Sequence, residues 1–164
     1  MINNLDECTK VVINEHFFIL DDIENTPAYI KHDNGQFEVI NDFKKKIYFV
    51  QIDNCIYTSS DESRCDCAIY TDEVFCFIEL KTCKIRNQKE NRKKAQKQLK
   101  TTIQKYKNEQ ILQNKRWEAY ICMTCNHDGK LTKITNAINK SAMVEFEDEL
   151  NTSLYYECKK NLNT

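Results

Sequence analysis

The chain has little of what breaks or loosens a backbone: two glycines and one proline in 164 residues, and a single tryptophan. That excludes collagen-like and low-complexity architectures, and no Ser/Gly/Pro-rich linker or internal repeat divides the sequence. It also lacks a long apolar run. The longest, Val74-Phe75-Cys76-Phe77-Ile78, falls far short of the ~18 residues a membrane helix needs, so no membrane span is expected. The start, Met1 to Glu7, has neither the basic residues nor the apolar stretch of a secretory signal, which places the chain in the cytoplasm. In that reducing compartment the nine cysteines read as free thiols, and their odd number argues against a fully paired framework.

What is present fits a single domain over residues 1–164, with 41% hydrophobic residues to build its core. The net charge of −1 hides a segregation: residues 1–80 carry 6 Lys/Arg against 16 Asp/Glu, and residues 81–107 carry 11 against one. A basic segment beside an acidic one suits a protein that holds polyphosphate next to a carboxylate-lined cation site. The plainer reading is a solvated helix face.

Local patterns predict a first helix from Asp6 to Phe18 ending near Asp21-Asp22, a short strand over Phe37 to Ile40, and a strand over Ile47 to Tyr57. A polar loop, Thr58 to Arg64, follows. Cys65 to Tyr70 and Val74 to Lys81 are apolar runs separated by Thr71-Asp72-Glu73, the length of a hairpin loop. Asn87 to Asn108 has no Gly or Pro and repeats Ala95, Leu99, Ile103 and Tyr106 on one helical face. Trp117 to Thr124 reads as a strand, Asp128-Gly129 as a turn, and Ala137 to about Tyr156 as a closing helix. The fold class is α/β, a central mixed β-sheet flanked by helices.

The hairpin carries the chemistry. Asp66 starts its first strand, and Glu79 and Lys81 lie near the end of its second, on one face about 7 Å apart because strand side chains two apart share a face. Antiparallel pairing returns Asp66 toward Glu79. Charges in an otherwise apolar run are costly unless paired or holding a metal. Two close carboxylates suit a hard divalent cation, Mg²⁺ or Mn²⁺, with the backbone carbonyl of Leu80 as a further oxygen ligand. Lys81 would then orient or acidify the attacking water and stabilise charge on phosphorus. A buried ion pair of Lys81 with Glu79 or Asp66 is the structural alternative.

At these residues the sequence resembles the PD-(D/E)xK nuclease superfamily, the restriction-endonuclease-like fold, and especially its small uncharacterised bacterial members. That family's pattern is an Asp at the start of one strand, an acid-x-Lys triplet on the next, and a following helix that often contributes a Gln. Asp66, Glu79-Leu80-Lys81 and Gln98 in Ala95-Gln96-Lys97-Gln98-Leu99 match it, over roughly residues 47–107. Cys65 stands where the family usually has Pro. An acid from the first helix often completes the family's site, with Glu7 and Glu15 as candidates and Asp53 as another supporting carboxylate. The resemblance implies a Mg²⁺- or Mn²⁺-dependent nuclease that hydrolyses phosphodiester bonds, with DNA as substrate; a bacterial defence or mobile-element role extends that reading without support from the residues. Lysines and arginines from Lys84 to Lys100 would contact phosphates. Target choice would come from a homodimer or a partner protein. Its rival is a non-catalytic module that binds nucleic acid or an acidic protein through the basic helix. A zinc site assembled from Cys122, Cys125, His127, Cys65, Cys67 and Cys83 is a further alternative, although buried thiols explain most of these positions as small apolar residues.

Overall fold

The computed structural model describes residues 5–58, 63–134 and 138–163. Residues 59–62 of the expected polar loop and Ala137 at the start of the expected closing helix lie outside the described residues.

The described chain is α/β, with a mixed sheet, two α-helices and a second, smaller sheet. The larger sheet has the order β1 (Thr9–Val12), β5 (Ile47–Gln51), β6 (Cys67–Tyr70), β7 (Val74–Thr82), β8 (Arg116–His127) and β10 (Thr152–Tyr155), with β9 (Lys130–Lys133) also pairing β8. Strands β5, β6 and β7 form an antiparallel run, and β7 pairs β8 in parallel. A parallel neighbour needs a crossover, and α1 (Gln88–Asn108) supplies it. The smaller sheet runs β11 (Lys159–Asn161), β4 (Phe37–Ile40), β2 (His16–Leu20), β3 (Tyr29–Lys31).

The central strands are apolar on both sides because both sides are covered. One face packs Phe75, Phe77, Ile121 and Met123 against Leu99, Ile103 and Tyr106 of α1 and Phe146 of α2 (Lys140–Leu150). The opposite face packs Phe49, Ile69 and Ile78 against Phe17, Ile19 and Val39 of the smaller sheet. Among the described residues helices therefore flank the central sheet on one side only. No helix among the described residues is long and apolar enough to cross a membrane.

Three expectations are corrected. Residues 9–20 form strands β1 and β2, not a helix: Thr9, Val11, Val12, Phe17, Phe18 and Ile19 are β-branched or aromatic, and they pair with β5, β3 and β4. The closing helix stops at Leu150 because Asn151 takes a left-handed conformation (φ 48°), and the β-prone residues after it join β8 as β10. The cysteines are not all thiols. Cys8 pairs with Cys55 and Cys122 with Cys158, at Cα separations of 5.8 and 4.5 Å that suit a disulfide. Cys65, Cys67, Cys76, Cys83 and Cys125 remain free.

Candidate active site

In the β6–β7 ladder Cys67 lies opposite Ile78, so one step further Asp66 faces Glu79. Residues directly opposite in an antiparallel pair have Cβ atoms about 4.5–5.5 Å apart. Both acids, with Lys81, point to the α1 face, because their neighbours Ala68, Phe75 and Phe77 pack there. The Lys81 Nζ lies 2.5 Å from Glu79 Oε1. The Leu80 N–H donates to Asp66 Oδ2 at 2.6 Å. N–H and C=O of one strand residue point to the same flank, so the Leu80 carbonyl also faces the Asp66 side.

A fourth charged group, which sequence reasoning missed, joins these three. Asp21 follows β2, within hydrogen-bond reach of the Asp66 carboxyl and close enough to Lys81 to feel its charge. Its backbone is pinned there. The Asp21 N–H donates to Gln36 Oε1 (2.7 Å), Gln36 Nε2 donates to Thr82 Oγ1 (2.9 Å), and the Thr82 hydroxyl meets that of Thr124 at 3.0 Å. The buried Gln36 thus ties the smaller sheet to the end of β7, at the residue immediately after Glu79-x-Lys81. Gly35 lets this happen: a Cβ there would sit 2.6 Å from Phe18 Cβ and 2.9 Å from Leu20 Cδ1. An acid immediately after the apolar run His16-Phe-Phe-Ile-Leu20 was the available signal, hidden by the helical reading.

Of the other supporting acids Glu7 and Glu15 are elsewhere, whereas Asp53 lines the same cleft as Asp21 and is close enough to raise its pKa. Glu7 is exposed, and Glu15 is an exposed partner of Lys44 at 3.1 Å. Asp53 pairs with Arg64 at 2.6 Å, and its backbone N–H donates to the Asp66 carbonyl. Gln98 does not reach in with its amide nitrogen: Nε2 donates to the Arg64 carbonyl at 2.8 Å. One turn on, Thr102 accepts the Cys65 N–H at 2.8 Å and donates to the Gln98 carbonyl. Helix α1 therefore holds the strand entry that aims Asp66. Cys65 supplies an N–H that a proline in its place would lack.

The electrostatics follow from crowding and burial. Glu79 is fully buried, and the Lys81 ammonium and the Asp66 backbone N–H face its carboxyl. Burial pushes its pKa up to about 7, against the opposing pull of Lys81. Burial also holds Asp66 well above the usual carboxylate range, with Glu79 and Asp21 adding to the effect. Asp21 is raised mainly by burial. For Lys81, burial works downward but Glu79 and Asp66 outweigh it, and the net direction is up. Three acids thus face one ammonium, Asp66 and Glu79 buried and Asp21 partly so. Solvent reaches the group through Lys81, whose side chain is 20% exposed, and through Asp21, which lines a cleft of about 900 Å³.

No group of three or more His, Cys, Asp or Glu with the geometry of a metal site occurs among the described residues. For zinc the reason is plain: Cys122 is in a disulfide, and residues three apart on β8 face opposite ways. For a hard divalent cation the donor chemistry fits, since Mg²⁺ takes one or two carboxylates and the buried carboxyls of Glu79 and Asp66 lie close enough to feel each other's charge. Compared with known proteins, the chain matches no family model, no curated protein and no solved structure.

Proposed function

We propose that this chain is a Mg²⁺- or Mn²⁺-dependent nuclease of the PD-(D/E)xK kind, hydrolysing phosphodiester bonds, with DNA as the substrate its resemblance implies. One observation carries the reading: Asp21, Asp66 and Glu79 converge on Lys81 where the apolar core meets the cleft. Formally that is three negative charges against one positive, a deficit that a divalent ion would close. The order of parts also supports a restriction-endonuclease-like arrangement: Asp66 leads into β6, Glu79 and Lys81 end β7, and α1 with Gln98 follows.

Asp66, Glu79, Asp21 and the Leu80 carbonyl would hold the ion. Bound there, it would polarise a phosphate oxygen and acidify a water. Lys81, on the same face two residues after Glu79, would direct its ammonium at charge growing on phosphorus. Gln98 and Thr102 keep Asp66 aimed through the backbone of residues 64–65. Gln36 keeps Asp21 against the end of β7.

The second reading, a non-catalytic nucleic-acid-binding module, is favoured by the complete burial of Glu79 and its 2.5 Å pairing with Lys81, which also describe a structural ion pair. Cleavage assays separate the two. Given plasmid and single-stranded substrates with Mg²⁺ or Mn²⁺, the parent should cut at least one of the two, and Lys81→Ala or Glu79→Gln should lose about 10²–10³-fold in that rate while remaining folded by circular dichroism. A parent that binds but cuts with no divalent ion refutes the nuclease reading.

A further inference from the structure

The cleft that Asp21 lines does not end at the site. It shares Asn25, Asp53 and Asn54 with a groove of about 530 Å³, which in turn shares Ser63, Arg64 and Lys97 with another of about 710 Å³. Adjoining through these shared residues, the three lie in a row that makes a channel in outline. One wall is α1, which contributes Lys94, Lys97, Lys100 and Lys105 to it and no acid. Opposite it, among the described residues, stand Asp53, Asn54, Tyr57, Ser63 and Arg64.

The cations along this channel are not equivalent. Lys100 is bound by Glu145 and Glu149 of α2, and Lys94 by Glu90 of its own helix. Arg64 is held by Asp53. Lys105 lies over the Tyr57 ring, 4.3 Å from its centroid. Lys97 is exposed, lines both grooves and has no ion-pair partner among the described residues. From Lys94 to Lys105 the helix rises about 16 Å at ~1.5 Å per residue, the axial length of roughly five nucleotides at 3.4 Å each.

We propose that this channel is the track of a single-stranded nucleic acid, its phosphates along α1 with Lys97 as the central contact, its bases turned toward Tyr57, and one phosphate led down the cleft to Asp21. The assignment of a reacting phosphate rests on the nuclease reading. The binding track does not depend on it. A positively charged groove with an aromatic side chain is what single strands need, and it reads no sequence. Duplex DNA presents its phosphates on a stiff convex cylinder, with bending persistence of about 150 bp, and cannot lower one into a concave cleft without unstacking. A single strand can.

Binding measured in EDTA isolates the track from the chemistry. Fluorescein-labelled dT12, rU12 and a 12-bp hairpin duplex are titrated with the full chain by anisotropy. The expected result is single-strand affinity at least about tenfold above that for the duplex, weakened about tenfold by Lys97→Glu and less than about twofold by Lys10→Glu, an equal charge change on exposed edge strand β1. Lys97→Ala should lower the salt slope for the single strand by about 0.7, one phosphate contact. Comparing dT12 with rU12 assigns the strand as DNA or RNA. Duplex bound as tightly as single strand, or Lys97→Glu acting no more strongly than Lys10→Glu, overturns the track. Single-strand binding with this pattern but no metal-dependent cutting leaves the track standing and removes the nuclease reading. Metal-dependent cutting without the pattern does the reverse.

Discussion

Replacing Glu79 by Gln should stabilise the metal-free chain at alkaline pH. The carboxyl is fully buried, and its pKa moves from 4.5 to about 7 on folding. Because the folded value lies above the unfolded one, the folded chain keeps a proton that the unfolded chain releases between pH 4.5 and 7. The stability this lends is full below about pH 4.5 and is lost as pH rises through 7. At about 1.36 kcal/mol per pH unit, the ionised Glu79 costs the native state roughly 3 kcal/mol at pH 8. Gln keeps the shape of the protonated acid without the charge. Glu79→Gln should therefore raise the melting temperature at pH 8 by about 6–12 °C, at 2–4 °C per kcal/mol for a chain of this size, and leave it nearly unchanged at pH 4.5. Asp66 and Asp21 are shifted in the same direction by burial, so the parent's stability should decline with pH more steeply still. Differential scanning calorimetry in EDTA across pH 4.5–8 measures this directly. A variant that melts at or below the parent at pH 8, or with the same offset at both pH values, refutes the reasoning.

Asp21→Asn should lower metal-dependent cleavage by about 10–100-fold while leaving the circular-dichroism spectrum unchanged, since Asp21 is only partly buried and its backbone stays tied to Gln36; full activity would remove it from the site. Gly35→Ala forces a Cβ against Phe18 and Leu20 and should cost about 1–3 kcal/mol in urea unfolding, with cleavage reduced because Asp21 moves with β2. Under denaturing, non-reducing conditions thiol titration should count five free cysteines, and Cys8→Ser with Cys55→Ser should cost about 2–4 kcal/mol; nine free thiols would contradict the pairing.

What could be read from the sequence was what is encoded locally. The Ala95-Leu99-Ile103-Tyr106 stripe set α1 to within a residue, because an amphipathic helix announces itself in its own repeat. The β6–β7 hairpin was legible for the same reason, and with it the approach of Asp66, Glu79 and Lys81. What was lost depended on distant partners. Residues 9–20 spaced their apolar side chains loosely enough to fit a helix, and only pairing with β5 and β4 makes them strands. That misreading concealed Asp21 and favoured Glu7 and Glu15. The smaller sheet joins β11 to β4 across more than a hundred residues, a register no local pattern carries. The disulfides likewise follow from register: the Cys8 carbonyl accepts the Gln51 N–H, which brings Cys8 alongside the turn that holds Cys55. Gln98 was located correctly on its helix, but its bond to the Arg64 carbonyl depends on where the 63–65 segment runs.

The most direct test is whether the buried acids share an ion. Titrating the chain with Mn²⁺ by calorimetry at pH 7, in two buffers of different ionisation enthalpy, should give one saturable site that releases protons on binding, because acids raised by burial must ionise to hold the metal. Glu79→Gln should abolish it. No saturable binding, or the same affinity in the variant, would mean that Glu79 and Lys81 are a structural pair and that the site holds no metal.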